Sequence, residues 1–187
     1  LNINKEKAQV AASISKSDLC SDLVGEYPEL QGVMGKYFAL EQGFEEDVAN
    51  SVCDHYLPTG LTSVLPKKPF SYSISIVDKI DTLVGFFVID EKPTSSKDPF
   101  ALRRAAIGLL RIIIENKLSF KLRDLIIYAI RLYQEQGVEI KNKKTEQQVL
   151  AFIKERMRNV LKLKNVKKDI IEASVSSHAG DNFLALY

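Results

Sequence analysis

The chain has 187 residues, of which 45% are hydrophobic and 27% are charged, and its formal net charge is +2. This composition matches ordinary globular proteins and excludes a chain that is disordered throughout. No apolar run reaches the roughly 20 residues that span a bilayer, and the N-terminus lacks the pattern of a signal peptide, so we expect a cytoplasmic location. Because the chain starts at Leu1 and not at a methionine, we also expect it to be part of a longer polypeptide.

The predicted elements in the first half of the chain are helices. Apolar residues spaced three and four apart predict helices over 5–24 and 45–57. The segment 56–71 holds three prolines and a glycine, which predicts a loop. A third helix is predicted from Ile74. It ends near Gly85 or continues through the two phenylalanines that follow, with a strand over 85–90 as the local alternative.

Capping signals divide the second half of the chain into helices. Asp98 followed by Pro99 predicts a helix start, because the carboxylate can accept from first-turn amides and proline needs no partner there. The helix that follows is strongly periodic. Ser119 is expected to cap the next helix, and Gly137 is expected to end it.

The polar segment 138–148 is typical of a linker. Thr145 with Gln148 fits a capping box for a helix that runs to about Lys162, and Asn165 is expected to cap a last short helix. Together these elements predict an all-α protein. A helical bundle over 1–137 is followed by a linker and additional helices over 138–187.

Few residues of the sequence suit catalysis. Cys20 and Cys53 form no metal-binding pair, and only two histidines are present. We predict that His55 is structural and that the chain has neither a catalytic residue nor a metal site.

Two carboxylates on the third predicted helix leave two interpretations open. Asp78 and Asp81 lie three positions apart, where they could act in acid–base chemistry or hold Mg²⁺. We favour a structural polar network that includes His55 and Lys79, with Arg103 or Arg104 as further partners of the carboxylates.

The charges are unevenly distributed along the chain. Residues 97–168 hold 18 basic and 7 acidic residues, whereas residues 1–96 hold 8 basic and 14 acidic residues. This asymmetry favours a surface that binds a polyanion, of which nucleic acid is the commonest. The alternative is that lysines and arginines only cover solvated helix faces.

Three long segments of the sequence carry a resemblance to a known family. They are "KSDLCSDLVGEYPELQGVMGKYFAL", "VDKIDTLVGFF" and "PTSSKDPFALRRAAIGLLRI". In the same order and spacing, they resemble the β subunit family of bacterial glycyl-tRNA synthetase. The resemblance implies an internal portion of that subunit, with an HD-like helical domain over 1–137. The order Asp54–His55 departs from the His–Asp pair of working HD hydrolases, which puts hydrolytic activity in doubt.

The resemblance also implies partners and cofactors. In the family the α subunit handles glycine, ATP with Mg²⁺ and adenylate formation, so no cofactor is expected in this chain. The expected partners are tRNA(Gly), the α subunit and the rest of the β subunit, in an α₂β₂ heterotetramer. A residual metal-dependent phosphohydrolase and a purely structural scaffold between subunits remain as alternatives.

The candidate RNA-binding residues are Lys97, Arg103, Arg104 and Arg111. The first three surround the predicted helix start, where backbone amides and the helix dipole favour phosphate. Arginine also binds phosphate with two parallel hydrogen bonds. The alternative is that Arg103 or Arg104 turns inward to pair with Asp78 or Asp81.

Overall fold

The structure is a computed structural model that describes residues 3–94, 97–163, 165–176 and 182–185. The all-α prediction is confirmed, since these ranges contain α-helices and short 3₁₀ turns but no strand. The helices are α1 (Lys5–Ile14), α2 (Asp22–Glu26), α3 (Val33–Glu41), α4 (Glu46–Asp54), α5 (Pro69–Val88), α6 (Leu102–Glu115), α7 (Leu122–Glu135), α8 (Thr145–Leu163) and α9 (Lys168–Ser176). Within the described ranges, no helix has the length and apolar character needed to cross a membrane.

Contacts between residues divide the chain into two compact units. Unit 1 is Leu1–Asp78 and unit 2 is Lys79–Tyr187, so the division falls within α5. It does not fall at residue 137, where the sequence predicts a domain boundary. Whether 1–137 forms a domain of HD-like architecture stays a prediction.

Unit 1 is built around α4, which packs against α1 and α3. Its core includes Ala11, Val48 and Ile74, with Phe44 and Phe70 packed against them. Phe44 precedes α4, and the others come from apolar positions of α1, α4 and the first turns of α5. The periodicity that predicts a helix over 45–57 is therefore confirmed, with α4 ending at Asp54.

The single helix predicted over 5–24 is wrong, because a buried aspartate interrupts it. Asp18 lies in a 3₁₀ turn and is fully buried, and its Oδ2 atom accepts a hydrogen bond of 2.6 Å from the backbone amide of Gly32. A buried carboxylate requires such a donor. Ser21 then caps the separate helix α2 by accepting from the amide of Val24.

Unit 2 is built around α8, which packs against α6, α7 and α9. Its core is mainly aliphatic, with the buried rings of Phe87 and Phe183, and draws on α5 to α9. It includes Leu83, Val84, Leu109, Leu110, Ile113, Leu122, Ile126, Ile153, Met157 and Ile171. Burial of large apolar side chains of this kind is the main favourable term in folding. The strand alternative for 85–90 is wrong, because α5 continues to Val88.

The polar segment between α7 and α8 contains a buried asparagine. The backbone amide of Asn142 donates to the carbonyl of Val88 at 3.2 Å, and its side-chain amide donates to the carbonyl of Phe87 at 3.2 Å. These two carbonyls lie at the C-terminal end of α5, where they have no partner within the helix. Asn142 therefore ties the 138–144 loop to α5 within unit 2.

Three predicted caps are wrong, because each residue lies at another position or has another partner. Thr145 is the first residue of α8, and its hydroxyl donates to the carbonyl of Asn142 at 2.6 Å instead of forming a capping box. Ser119 precedes α7 by three residues and accepts a hydrogen bond from Asn182. Asn165 has a φ of 58° and lies three residues before α9. The prediction for Gly137 is confirmed, since α7 ends just before it and its φ is 78°.

Candidate nucleic-acid interface

The segment 97–104 leads into α6 in unit 2. This helix begins at Leu102 and not at Pro99 as predicted, because Ala101 adopts a left-handed conformation with a φ of 55° that no α-helical residue has. Asp98 still provides the cap. Its two carboxylate oxygens accept from the amides of Leu102 at 2.9 Å and Arg103 at 3.0 Å. The first-turn amides that were expected to bind phosphate are thus already bound to a carboxylate.

Arg103 has partners within its own segment. Its Nη2 atom donates to the backbone carbonyl of Thr94, and its Nη1 atom lies 3.9 Å from Oδ2 of Asp98. Its side chain is 29% exposed. Arg103 therefore links Thr94 and Asp98 to α6 and has limited capacity for another ligand.

Arg104 and Lys97 are both exposed. Within the described ranges, neither side chain takes part in an ion pair. Lys97 is fixed through its backbone, since its amide donates to Oγ1 of Thr94 at 3.2 Å and its carbonyl accepts from the Thr94 amide at 3.0 Å. This part of unit 2 therefore presents two solvated cations next to the start of α6.

Arg111 lies two turns further along α6. Its Nε atom is 3.2 Å from Oε1 of Glu115, and its side chain is only 13% exposed. Arg111 is thus mostly buried and paired with Glu115, whereas Lys97 and Arg104 are exposed. An RNA contact by Arg103 or Arg111 stays a prediction that would require these internal ion pairs to open.

An aromatic residue, Phe100, lies between the two exposed cations in the sequence. Phe100 stacks on Phe86 of α5, with ring centroids 4.0 Å apart and an angle of 20° between the rings. Phe100 is nevertheless 43% exposed. The sequence analysis missed this residue, although an aromatic between Lys97 and Arg104 is a recognisable signal for nucleic-acid binding.

The residues of the predicted polar network have other contacts. The Nδ1 atom of buried His55 lies 2.7 Å from the carbonyl of Val52, and its ring packs on Tyr56. Asp78 pairs with Lys16, at 2.5 Å between Oδ1 and Nζ. The carboxylate that Arg103 approaches is Asp98.

The other two members of that network lie in unit 2. Lys79 is buried, whereas Asp81 is exposed on α5. Among the described residues, no group of three or more histidines, cysteines, aspartates or glutamates could hold a metal ion. A network that joins Lys79 and Asp81 to His55 and Asp78 stays a prediction.

A tyrosine connects α7 to α5 next to Asp81. The hydroxyl of Tyr133 donates to the backbone carbonyl of Asp81 at 3.2 Å. Gly85 makes room for the ring, since a Cβ atom there would lie 2.9 Å from Cζ of Tyr133. Burial raises the pKa of the Tyr133 phenol above its usual value, and the negative charge of Asp81 raises it further. The adjoining cavity of about 350 Å³ is also lined by Phe86 and Ile89.

Comparison with known proteins identifies the family. The family described as "Glycyl-tRNA synthetase beta subunit" matches residues 1–176. The Glycine--tRNA ligase beta subunit of Paracoccus denitrificans (strain Pd 1222) is 42% identical over 181 residues, which make up 97% of this chain and 25% of the relative. The corresponding subunits of Rickettsia canadensis (strain McKiel) and Janthinobacterium sp. (strain Marseille) are 42% and 40% identical, over 95% and 92% of this chain.

The chain spans about a quarter of the length of these curated relatives. Its similarity to them nevertheless extends through both units, since the family match covers all of unit 1 and most of unit 2. The chain therefore belongs to the glycyl-tRNA synthetase beta subunit family.

Proposed function

We propose that this chain is a non-catalytic, tRNA-binding and assembly region of a cytoplasmic glycine–tRNA ligase. In this proposal it holds tRNA(Gly) while the α subunit binds glycine and uses ATP with Mg²⁺ to activate it. The whole enzyme would be an α₂β₂ heterotetramer. Family membership supports a role in glycyl-tRNA synthesis, and the surface of unit 2 supports the part assigned to RNA.

The observation that carries the RNA assignment is a pair of exposed cations beside α6, Lys97 and Arg104, which form no ion pair with any residue that the structure describes. They belong to a unit with 20 basic and 13 acidic residues, a net charge of +7. Contacts from lysine and arginine to phosphates supply most of the sequence-independent affinity for nucleic acid. Duplex RNA is recognised largely through its backbone shape, so a basic surface without a base-reading pocket suffices.

The surface of α3 in unit 1 supports the assembly part of the proposal. Val33, Tyr37 and Leu40 follow the i, i+4, i+7 spacing of one helix face, and all three are exposed. Apolar side chains that are contiguous on a surface mark contacts with other proteins or domains. The same observation supports the scaffold alternative, in which the region contacts only protein.

The test is a titration of the 187-residue chain with transcribed tRNA(Gly) over a range of salt concentrations, combined with an assay for ATP–pyrophosphate exchange in the presence of glycine. We expect weak binding whose dissociation constant rises steeply between about 50 and 200 mM salt. We also expect no pyrophosphate exchange by this chain alone. A reconstituted α₂β₂ enzyme serves as the positive control for exchange.

Absent or salt-insensitive binding would contradict the RNA assignment and leave the scaffold alternative. Pyrophosphate exchange by the isolated chain would contradict its non-catalytic assignment. An assay of nucleotide and phosphodiester hydrolysis on the same sample, with metal analysis, tests the phosphohydrolase alternative.

A further inference from the structure

We infer that Phe100 is a stacking platform for an unpaired base of the bound RNA, with Lys97 and Arg104 contacting the phosphates on either side of that base. This inference rests on the proposed function and makes it more specific. A stacking site requires a single-stranded nucleotide, whereas the basic surface alone requires only a phosphate backbone. Three features of unit 2 support it.

The first feature is the exposure of the Phe100 ring. Phe86 covers one face of this ring at a centroid distance of 4.0 Å, yet 43% of the residue remains accessible. Because Phe86 covers one face, a ligand can approach the ring only from its other face or its edge. A base that stacks there would extend the Phe86–Phe100 stack by one more aromatic layer, and the offset or tilted geometries of such stacks are favourable.

The second feature is the hydrogen bonding of the backbone around Phe100. The Ala101 amide donates to the carbonyl of Asp98 at 3.2 Å, and the Asp98 side chain holds the amides of Leu102 and Arg103. Ala101, at a φ of 55°, fixes the direction in which the chain enters α6. A ring held in place by Phe86 on one side and by its backbone on the other loses little conformational entropy when a base binds.

The third feature is the position of the free cations. Lys97 lies three residues before Phe100 and Arg104 lies four residues after it, and both are exposed without an ion-pair partner among the residues that the structure describes. Arg103, which lies between them, is engaged by Thr94 and Asp98. Exposed aromatics flanked by cations are the usual surface for single-stranded nucleic acid, because every base has a π face and every nucleotide a phosphate.

An unpaired base fits this site better than a duplex does. Bases inside a duplex are stacked on their neighbours and present only their edges to the protein, so a flat ring gains no face-to-face contact with them. Unpaired loops, bulges and ends present a free base face. The inference therefore predicts that Phe100 contributes only to the binding of RNA with an unpaired nucleotide.

The experiment compares two RNA probes on the 187-residue chain. Both are hairpins in which a hexaethylene glycol linker replaces the loop, so that neither has an unpaired loop base. One carries an unpaired 3′ overhang with 2-aminopurine, and the other is the same hairpin with a blunt end. Variants are Phe100→Ala, Phe100→Leu and Phe100→Tyr. The leucine variant keeps an apolar contact with Phe86 and so controls for loss of folding. Tyr27→Ala, at an exposed aromatic of unit 1 to which no binding role is assigned, is the matched control.

We expect Phe100→Ala and Phe100→Leu to weaken binding of the overhang hairpin by about fivefold or more, the range reported for loss of one base–aromatic stack. The blunt hairpin should bind these variants as it binds the wild type. Phe100→Tyr should retain the affinity because it retains the ring. The fluorescence of 2-aminopurine should be quenched on binding to the wild type and to Phe100→Tyr, but not on binding to Phe100→Leu.

Equal binding of the overhang hairpin by the wild type and Phe100→Leu would overturn the inference, and so would an equal loss for both hairpins. If Lys97→Ala/Arg104→Ala weakens binding in that case, the proposed RNA function stands without the stacking site. If the wild type binds neither hairpin nor tRNA, both the inference and the proposed function fail.

Discussion

At the scale of single residues, Asp98 has two opposing effects that can be separated by mutation. Its carboxylate caps α6, and its negative charge lies next to the cations that are proposed to bind RNA. Asp98→Ala should lower the free energy of unfolding by about 0.5–2 kcal/mol, because two first-turn amides lose their acceptor. Asp98→Asn should keep most of the cap.

Asp98→Asn should also strengthen tRNA binding at low salt by about two- to fivefold, because one negative charge is removed from the proposed interface. Urea unfolding and tRNA titration of both variants measure the two effects. Weaker tRNA binding by a stably folded Asp98→Asn variant would mean that the carboxylate is needed to position the interface.

Also at the scale of single residues, the environment of Tyr133 predicts that the free energy of unfolding depends on pH. Burial raises the pKa of its phenol in the folded protein, so the unfolded chain loses this proton first as the pH rises. The unfolded state then binds fewer protons than the folded state, and stability falls above the ordinary tyrosine pKa of about 10. Below that pH the phenol is neutral in both the folded and the unfolded state, so its full contribution to stability is present.

The measurement is urea unfolding of the wild type and of Tyr133→Phe between pH 8 and 11. Tyr56, whose pKa burial also raises, is present in both proteins, so their difference isolates Tyr133. We expect the stability advantage of the wild type to shrink above pH 10. A difference that is constant over this range would show that Tyr133 does not titrate differently in the folded protein.

At the scale of elements, the contact between α5 and α7 depends on the absence of a side chain at Gly85. Gly85→Ala places a Cβ atom against the Tyr133 ring, 2.9 Å from Cζ, and should lower the free energy of unfolding by about 1–3 kcal/mol. Gly25→Ala in α2 is the matched control, because its Cβ atom meets nothing within 4 Å. The control should change stability by no more than about 1 kcal/mol, in the stabilising direction.

Combining Gly85→Ala with Tyr133→Phe tests the cause of that loss. The double variant lacks the hydroxyl, so the destabilisation should be less than the sum of the two single changes. Thermal or urea unfolding measures all four proteins. If the two changes in the free energy of unfolding are strictly additive, the stability lost in Gly85→Ala arises within α5 and not from its contact with Tyr133.

The helices themselves were largely predictable from the sequence, but their ends were not. The periodicity of 45–57, of 102–115 and of 122–135 reports burial on one helix face, which is a local pattern. The ends depend on distant partners. Asn142 binds the end of α5, and Ser119 binds Asn182, so neither local spacing nor residue type could predict them.

In the candidate nucleic-acid interface, too, the residues were predictable from the sequence but their contacts were not. Lys97, Arg103 and Arg104 were recognisable from charge and from their position before a helix, yet the sequence could not distinguish the arginine that pairs internally from the one that is exposed. That distinction depends on the contact between Arg103 and the Thr94 carbonyl, nine residues earlier in the chain. Phe100 lies between two cations in the sequence, but its exposure and its stacking on Phe86 of α5 are tertiary features that the sequence does not show.

At the scale of the whole molecule, the two units differ in charge. Unit 1 has 6 basic and 11 acidic residues, for a net charge of −5, whereas unit 2 has a net charge of +7. Opposite net charges on adjacent parts of a chain favour different partners. This difference agrees with the proposal that unit 2 contacts RNA and that the apolar face of α3 in unit 1 contacts protein.

The measurement that tests the RNA assignment most directly is the salt dependence of tRNA(Gly) binding by the wild type and by Lys97→Ala/Arg104→Ala. If both cations contact phosphates, the slope of log Kobs against log salt should fall by about 1.4–1.8, the value for two lost contacts. Lys121→Ala/Lys168→Ala, which removes two other exposed lysines of unit 2, should leave the slope nearly unchanged. An equal slope for the wild type and the Lys97→Ala/Arg104→Ala variant would contradict the assignment of this surface to tRNA.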